Sequence, residues 1–343
     1  MKRTRQYFHA RELTFQQLLN QKIGGLDIRS RDTLRECLIQ LRRELKRNHI
    51  SFFPHFYFGE EPWGCIDGTG SIEIPFYLAN NELRRIAERY YTSYSKREIM
   101  MMLRHETGHA LNYVYRLWKN SQWTKLFGRF QNRYINFYSY DSHSTDYVRY
   151  LHFIGNPHYA QKHPDDDFAE TFAVWLDPSS AWKWRYRSWK GALEKLSYVD
   201  RLFRKERIAE RRPLKVRYNE TNNYRSITAT IAEYFEIEKK VDSRLREYIQ
   251  DMKDIFSGVS QRTRRFIRAD LFIQNYREYL EEELVTWIAR ADRRMVKSYL
   301  HEVQTICALN NLRLRPDEGT EKLVELVIVA TYHLMKRLQH LNE

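Results

Sequence analysis

The stretch Arg104-His105-Glu106-Thr107-Gly108-His109-Ala110 decides how this chain is read, because it sets two histidines four residues apart within a segment of helical character. Residues four apart on an α-helix lie on one face, one turn apart, so His105 and His109 can present two imidazole nitrogens to a single zinc ion. Glu106 is then placed to take a proton from water activated by that metal without ligating it, the general-base task in a metal hydrolase. Upstream, Ser95-Lys96-Arg97-Glu98 is a capping box, so the helix is expected to begin near residue 96. No Pro interrupts the pattern before Trp118.

Two histidines do not complete a zinc site, and the third ligand has to come from elsewhere. The long pattern with a third histidine six residues after the second is excluded, since Asn112 and Tyr115 occupy the positions where Gly and His would stand. A carboxylate from a later helix is the main remaining option. Pro164 followed by Asp165-Asp166-Asp167 reads as a helix start that ends at Asp177-Pro178, with Asp166 and Glu170 one turn apart on one face. Phe168, Ala169, Phe172 and Trp175 supply the apolar side that fixes this helix to a core. Carboxylates buried beside such a side need a compensating cation. Service to the helix dipole alone accounts for Asp165, Asp166 and Asp167 but not for Glu170.

Together these segments resemble the zinc-binding metallopeptidases of bacteria, related to the gluzincin-like group that includes anthrax lethal factor, the Pro-Pro endopeptidases and Mlc titration factor. The resemblance rests on Arg104 to Ala110 and on Tyr159-Ala160 running through His163-Pro164 into Asp166-Asp167-Phe168-Ala169-Glu170-Thr171-Phe172-Ala173, and more loosely covers residues 50 to 205. It implies a zincin-like fold and one Zn2+ ion. In that group the third ligand looks like the first acid of an acid-x-x-x-acid pair with a tyrosine seven residues before it, so the resemblance makes Asp166, seven residues after Tyr159, the preferred third ligand. Glu170 resembles the acid that orients a ligating histidine, and Tyr159 the phenol that donates to the developing oxyanion. The group usually has Glu where this chain has Asp166, one methylene shorter. Either the helix sits closer or Glu170 reaches the metal instead, and His143, His152, His158 and His163 stand behind them as further ligand candidates.

Around the motif the expected fold is α+β: a small, mainly antiparallel sheet packed on the motif helix, the second ligand helix below it, and a helical C-terminal region. Leu34, Cys37, Leu38, Leu41 and Leu45 recur at the spacing of a helix that starts near Asp32. Ile50 to Phe58 and Ser71 to Tyr77 read as strands, with the turn residues Gly64, Asp67-Gly68 and Gly70 between them. Asn80 caps a helix through about Tyr91. Residues 120 to 163 form an aromatic stretch of mixed pattern that includes Tyr134, Phe137, Tyr138, Tyr140, Tyr147, Tyr150 and Phe153. Beyond residue 200 the pattern is helical and highly charged, near 227–256, 264–308 (broken at least once) and 319–341. Residues 1–200 are taken as the metallopeptidase domain and 201–343 as a helical, basic region of unrecognised role.

Hydrophobic residues make up 42% of the 343, enough to bury a core and exclude a disordered chain. The formal net charge of +14 is spread over both halves, so nucleic acid, anionic lipid and acidic protein would each be attracted, and charge alone does not separate them. Arg211-Arg212 and Arg262 with Arg264-Arg265 read as solvated faces. Trp182-Lys183-Trp184-Arg185-Tyr186-Arg187-Ser188-Trp189-Lys190 interleaves aromatics with bases, as a stacking platform would, yet Trp182, Tyr186 and Trp189 recur at helix spacing and so read first as a core face. Three scattered cysteines, Cys37, Cys65 and Cys307, form no CxxC pair and point to a reducing compartment. The basic start lacks a following apolar run and no window approaches a membrane span, so a soluble cytoplasmic protein without a membrane partner is expected. No Gly-rich phosphate loop and no GxSxG elbow is present.

The leading expectation is therefore a zinc-dependent peptidase acting on a protein or peptide substrate, with Glu106 as general base. A second is a non-catalytic zinc-binding or basic protein that engages nucleic acid or an acidic partner. A third is a zinc peptidase acting on DNA-bound protein, marked by steep salt dependence of binding.

Overall fold

In the computed structural model the helix carrying His105 and His109 spans Lys96–Tyr115 and begins as its sequence dictates: Ser95 Oγ accepts from the Glu98 N–H and the Glu98 carboxylate accepts from the Ser95 N–H. The structure describes residues 15–60, 63–134, 138–151, 158–210, 218, 220, 222–235, 237, 243–256, 266–288 and 291–340. Phe137, His152, Phe153, Arg211, Arg212, Arg262, Arg264 and Arg265 lie outside them. The motif helix is buried continuously from Ile99 to Val114, because the Asp32–Arg47 helix, the sheet and the Pro164–Leu176 helix all pack on it. It ends at Arg116, whose left-handed φ of 50° closes it, and Leu117–Lys119 continue as a single 3-10 turn instead of as α-helix to Trp118.

The flanking helices follow their sequence signals. Asp32–Arg47 buries Leu34, Cys37, Leu41 and Leu45, and Asn80 caps Asn81–Tyr90 by accepting from the Leu83 N–H. The sheet has three strands, β1 (His55–Gly59), β2 (Gly64–Cys65) and β3 (Ser71–Pro75), in the order β1-β3-β2. Its pairing corrects the expectation of a mainly antiparallel sheet. β1 and β3 run parallel from His55↔Ser71 to Gly59↔Pro75, and only the short β2 is antiparallel to β3. The turn through Gly68, at φ 71°, folds β2 back on β3; the antiparallel edge of β3 is thus filled by its immediate neighbour in sequence, and β1 pairs on the other edge.

The core does not part at residue 200. The cluster around the motif helix continues through Leu202, Phe203, Ala209, Tyr224, Ile231 and Phe235, and a second cluster runs from Tyr248 to Leu334. The second is built from helices Ser243–Phe256, Ala269–Asn275, Arg277–Trp287, Arg293–Leu309 and Gly319–His340, with a two-residue ladder of Ile267–Arg268 against Arg313–Leu314 that no sequence pattern announced. Polar side chains join the two units: Thr92 donates to Asp270 at 2.8 Å, Tyr94 to Gln274 at 2.8 Å, and Arg268 to the Ser93 carbonyl. Tyr91 stacks on His301. In the aromatic-basic segment the helix covers only Trp182–Arg185; Tyr186 is buried, Trp182 and Trp189 pack partly against the core, and Trp184 is exposed. Among the described residues no helix is long and apolar enough to cross a membrane.

Candidate metal centre

The motif helix and the Pro164–Leu176 helix meet at Gly108 and Ala169. A Cβ on Gly108 would lie 2.8 Å from Ala169 Cα, so glycine is what lets the two backbones touch. That close approach brings Asp166 to the histidines. Asp166 Oδ1 stands 3.4 Å from His109 Nε2 and 3.9 Å from His105 Nε2, and the two Nε2 atoms are 3.1 Å apart. Donor atoms around tetrahedral zinc at about 2.0–2.2 Å are separated by about 3.3–3.6 Å, a range that the three observed separations bracket, so these side chains could hold such an ion.

The back nitrogens of both rings face buried acids. His105 Nδ1 is 3.1 Å from Glu170 Oε1, and His109 Nδ1 is 2.8 Å from Asp165 Oδ2. With each Nδ1–H donated to a carboxylate, both Nε2 lone pairs point into the same small space, an arrangement that a cation shared by the two rings and Asp166 stabilises. Asp166 Oδ2 has no hydrogen-bond partner although it is buried, a further sign of an acceptor held for a cation.

Three successive aspartates at about 100° intervals around the helix turn toward three different partners. Asp165 accepts from His109, from Asn112 Nδ2 at 2.6 Å and from the Tyr113 hydroxyl at 2.6 Å. Burial works against its charge, but His109 and these donors hold its carboxyl below the ordinary value. Asp166 faces the histidines. Asp167 pairs with Lys195 Nζ at 2.6 Å, and burial nevertheless pushes its carboxyl up to about 7. By sequence alone Asp165 serves only the helix dipole. Its role was within reach, since Asn112 and Tyr113 extend the His105/His109 face by one turn and imply an acceptor opposite.

Glu170 does not stand with the three converging donors. Its Oε2 accepts the backbone N–H groups of Tyr150 and Leu151 at 2.9 and 3.1 Å, and its other oxygen is turned to His105. Glu106 is buried beside the histidines, and burial raises its pKa while His105 and His109 oppose the rise; the Cys65 N–H of β2 donates to its carboxylate. Tyr159 lies edge-on to His105 with ring centroids 5.6 Å apart. Burial, then the nearby Asp166 and Glu106 charges, raise its phenol well above the ordinary value, so it stays a proton donor. Tyr134 was read only as one of many aromatics; its hydroxyl lies 3.3 Å from Asp165 Oδ2 and its ring stacks on His163.

The remaining histidines have other occupations. His163 caps the acid-bearing helix, its Nδ1 accepting from the Asp165 N–H and its Nε2 lying 2.9 Å from the Asn132 carbonyl. His143 is exposed. His158 stacks on Tyr140, and His152 lies outside the described residues.

No protein-family model, curated protein or solved structure matches this chain.

Two consequences of this geometry are measurable. Gly108→Ala puts a methyl against Ala169 and is expected to lower stability by about 1–3 kcal/mol by forcing the two helices apart; urea unfolding that matches wild type would refute the close-contact argument. Burial, with Arg149 adding to it, pushes the His158 imidazole down to about 4. Since its folded value lies below the unfolded value of about 6.5, its contribution to stability is complete above that pH and is lost as pH falls from about 6.5 through about 4. Ring-proton NMR should show His158 neutral at pH 5.5, and a midpoint near 6.5 would contradict the assignment.

Proposed function

We propose that this chain is a zinc-dependent peptidase of the zincin type, with one Zn2+ held by His105 Nε2, His109 Nε2 and Asp166. The observation that carries the reading is the convergence of three buried donors whose two imidazoles are each backed by a buried carboxylate, Glu170 and Asp165. Three protein ligands leave a fourth position of a tetrahedral ion open, as hydrolytic zinc sites do. When bound, the ion supplies Lewis acidity that makes water a nucleophile near neutral pH.

The chain's own groups do the rest. Glu106, held by the Cys65 N–H and with its proton affinity increased by burial, takes a proton from the attacking water and returns it to the leaving amine. Tyr159 stays protonated and donates to the carbonyl oxygen as negative charge develops there. Asp165 and Glu170 keep both imidazoles in the tautomer that leaves Nε2 free.

One observation favours a second reading, a structural zinc: His105, Glu106, His109 and Asp166 are all buried, and structural sites are closed. Zinc content and peptide cleavage, measured on the same preparations, separate the two. The peptidase reading expects one zinc per chain, its loss in His105→Ala and Asp166→Ala, and affinity lowered about 10–100-fold in Glu170→Ala and Asp165→Ala. Zinc unchanged in His105→Ala would end both readings. Zinc retained in Asp166→Ala and lost in Glu170→Ala would transfer the third ligand to Glu170. Full zinc with no cleavage of any member of a peptide mixture would establish the structural reading.

A further inference from the structure

We propose that the outer face of the C-terminal helix is a self-association surface on which two copies of this chain pair antiparallel. Gly319–His340 buries Leu323, Leu326, Ala330, His333 and Leu334 against its own unit, which accounts for one side of the helix. On the opposite side stand Val324, Ile328, Tyr332 and Met335, 52%, 63%, 56% and 51% exposed. Their spacings of four, four and three residues align them in one stripe about 17 Å long. Single exposed apolar side chains are ordinary, whereas four in a line on one helix face mark a contact surface.

The charges beside the stripe select the occupant and its direction. Glu325 and Lys336 are eleven residues apart, about three turns, so they lie on the same flank and near opposite ends. Two antiparallel helices related by a dyad present like flanks to each other. With the dyad near Ala330, Ile328 meets Tyr332 of the second copy, Val324 meets Met335, and each Glu325 meets Lys336 of the other chain. Parallel pairing would set this flank against the one carrying Thr331 and Leu338, which offers no opposite charge.

A groove of about 240 Å³ lies beside Glu325, walled by Asp251 and Asp254 and floored by Ile255, Ile328 and Val329. Asp251 lies 2.7 Å from His333 Nε2 and Asp254 accepts from Gln250 at 2.8 Å, so a lysine ammonium entering this acidic concavity would share carboxylates that already have partners. Lys336 is held at the stripe by its position over the Tyr332 ring, and Glu325 contacts Lys322 at 3.0 Å within its own helix. A chain of net charge +14 repels its copies, so the acidic groove supplies the local attraction that a contact between copies requires.

Sedimentation velocity of the full chain from about 5 to about 200 µM tests this, a range that brackets micromolar association. Wild type is expected to pass from monomer to dimer across it, and Ile328→Asp to stay monomeric with unchanged circular dichroism, since the Ile328 side chain is mostly exposed in its own chain. Glu325→Lys and Lys336→Glu should each weaken the dimer about tenfold or more, and the two combined should restore it to within about threefold of wild type. A wild type that is monomeric at the highest concentration, a dimer that survives Ile328→Asp, or a double variant weaker than both single ones would overturn the proposal.

Discussion

Glu106→Gln is expected to leave the zinc content of the protein unchanged while lowering peptide hydrolysis by about 10²–10⁴-fold, the usual contribution of a positioned general base. Glutamine keeps the size and the acceptor oxygen that meets the Cys65 N–H, so the motif helix should pack as before. It cannot take a proton. The paired measurement matters because Glu106 is not one of the three converging donors: a variant that lost zinc would make Glu106 a ligand, and one that kept full activity would remove it from the chemistry. Tyr159→Phe, with a smaller loss and no change in zinc, would place the phenol in the role proposed for it.

Arg104→Ala is expected to cost about 3–5 kcal/mol of folding stability, the penalty for stranding buried carboxylates. Arg104 Nε and Nη2 donate to both oxygens of Glu44 at 2.8 and 2.7 Å, and Nη1 donates to Asp177 at 2.9 Å and to the Tyr150 hydroxyl at 2.8 Å. All three charged groups are nearly inaccessible to water. One guanidinium thus clamps the Asp32–Arg47 helix, the motif helix and the end of the acid-bearing helix, one residue before His105. Urea unfolding of Arg104→Ala, Glu44→Ala and the double variant gives the test. A coupling energy under about 0.5 kcal/mol, the value found for independent sites, would show that the clamp carries no stability.

Features that depend on neighbours in sequence were legible before any coordinates. The Ser95/Glu98 capping box, the Asn80 cap and the Pro164 start are contacts within one helical turn, and their donors and acceptors are implied by residue order. The same holds for the shared face of His105 and His109. Features that depend on which elements meet were not. The turn residues between Phe58 and Ser71 do not show that the two-residue β2 takes the antiparallel edge of β3, so the parallel pairing of β1 on β3 emerged only in three dimensions. Charge and helical periodicity also give no sign that Leu202, Phe203, Phe235 and Leu271 share a hydrophobic cluster with the motif helix.

The acids illustrate the division most clearly. From sequence, Asp165, Asp166, Asp167 and Glu170 are four carboxylates near one helix start, with Asp166 and Glu170 as rivals for one role. Only the crossing at Gly108 and Ala169 tells them apart, because it sets how far each reaches: Asp165 to His109, Asp166 into the space between the two Nε2 atoms, Asp167 to Lys195 and Glu170 to His105. Sequence by itself determined which residues can offer donors and on which helix face they stand, since both follow from local geometry. The tertiary structure decided which donors meet, since that depends on the distance between two helices far apart in the chain, and here a missing Cβ sets that distance.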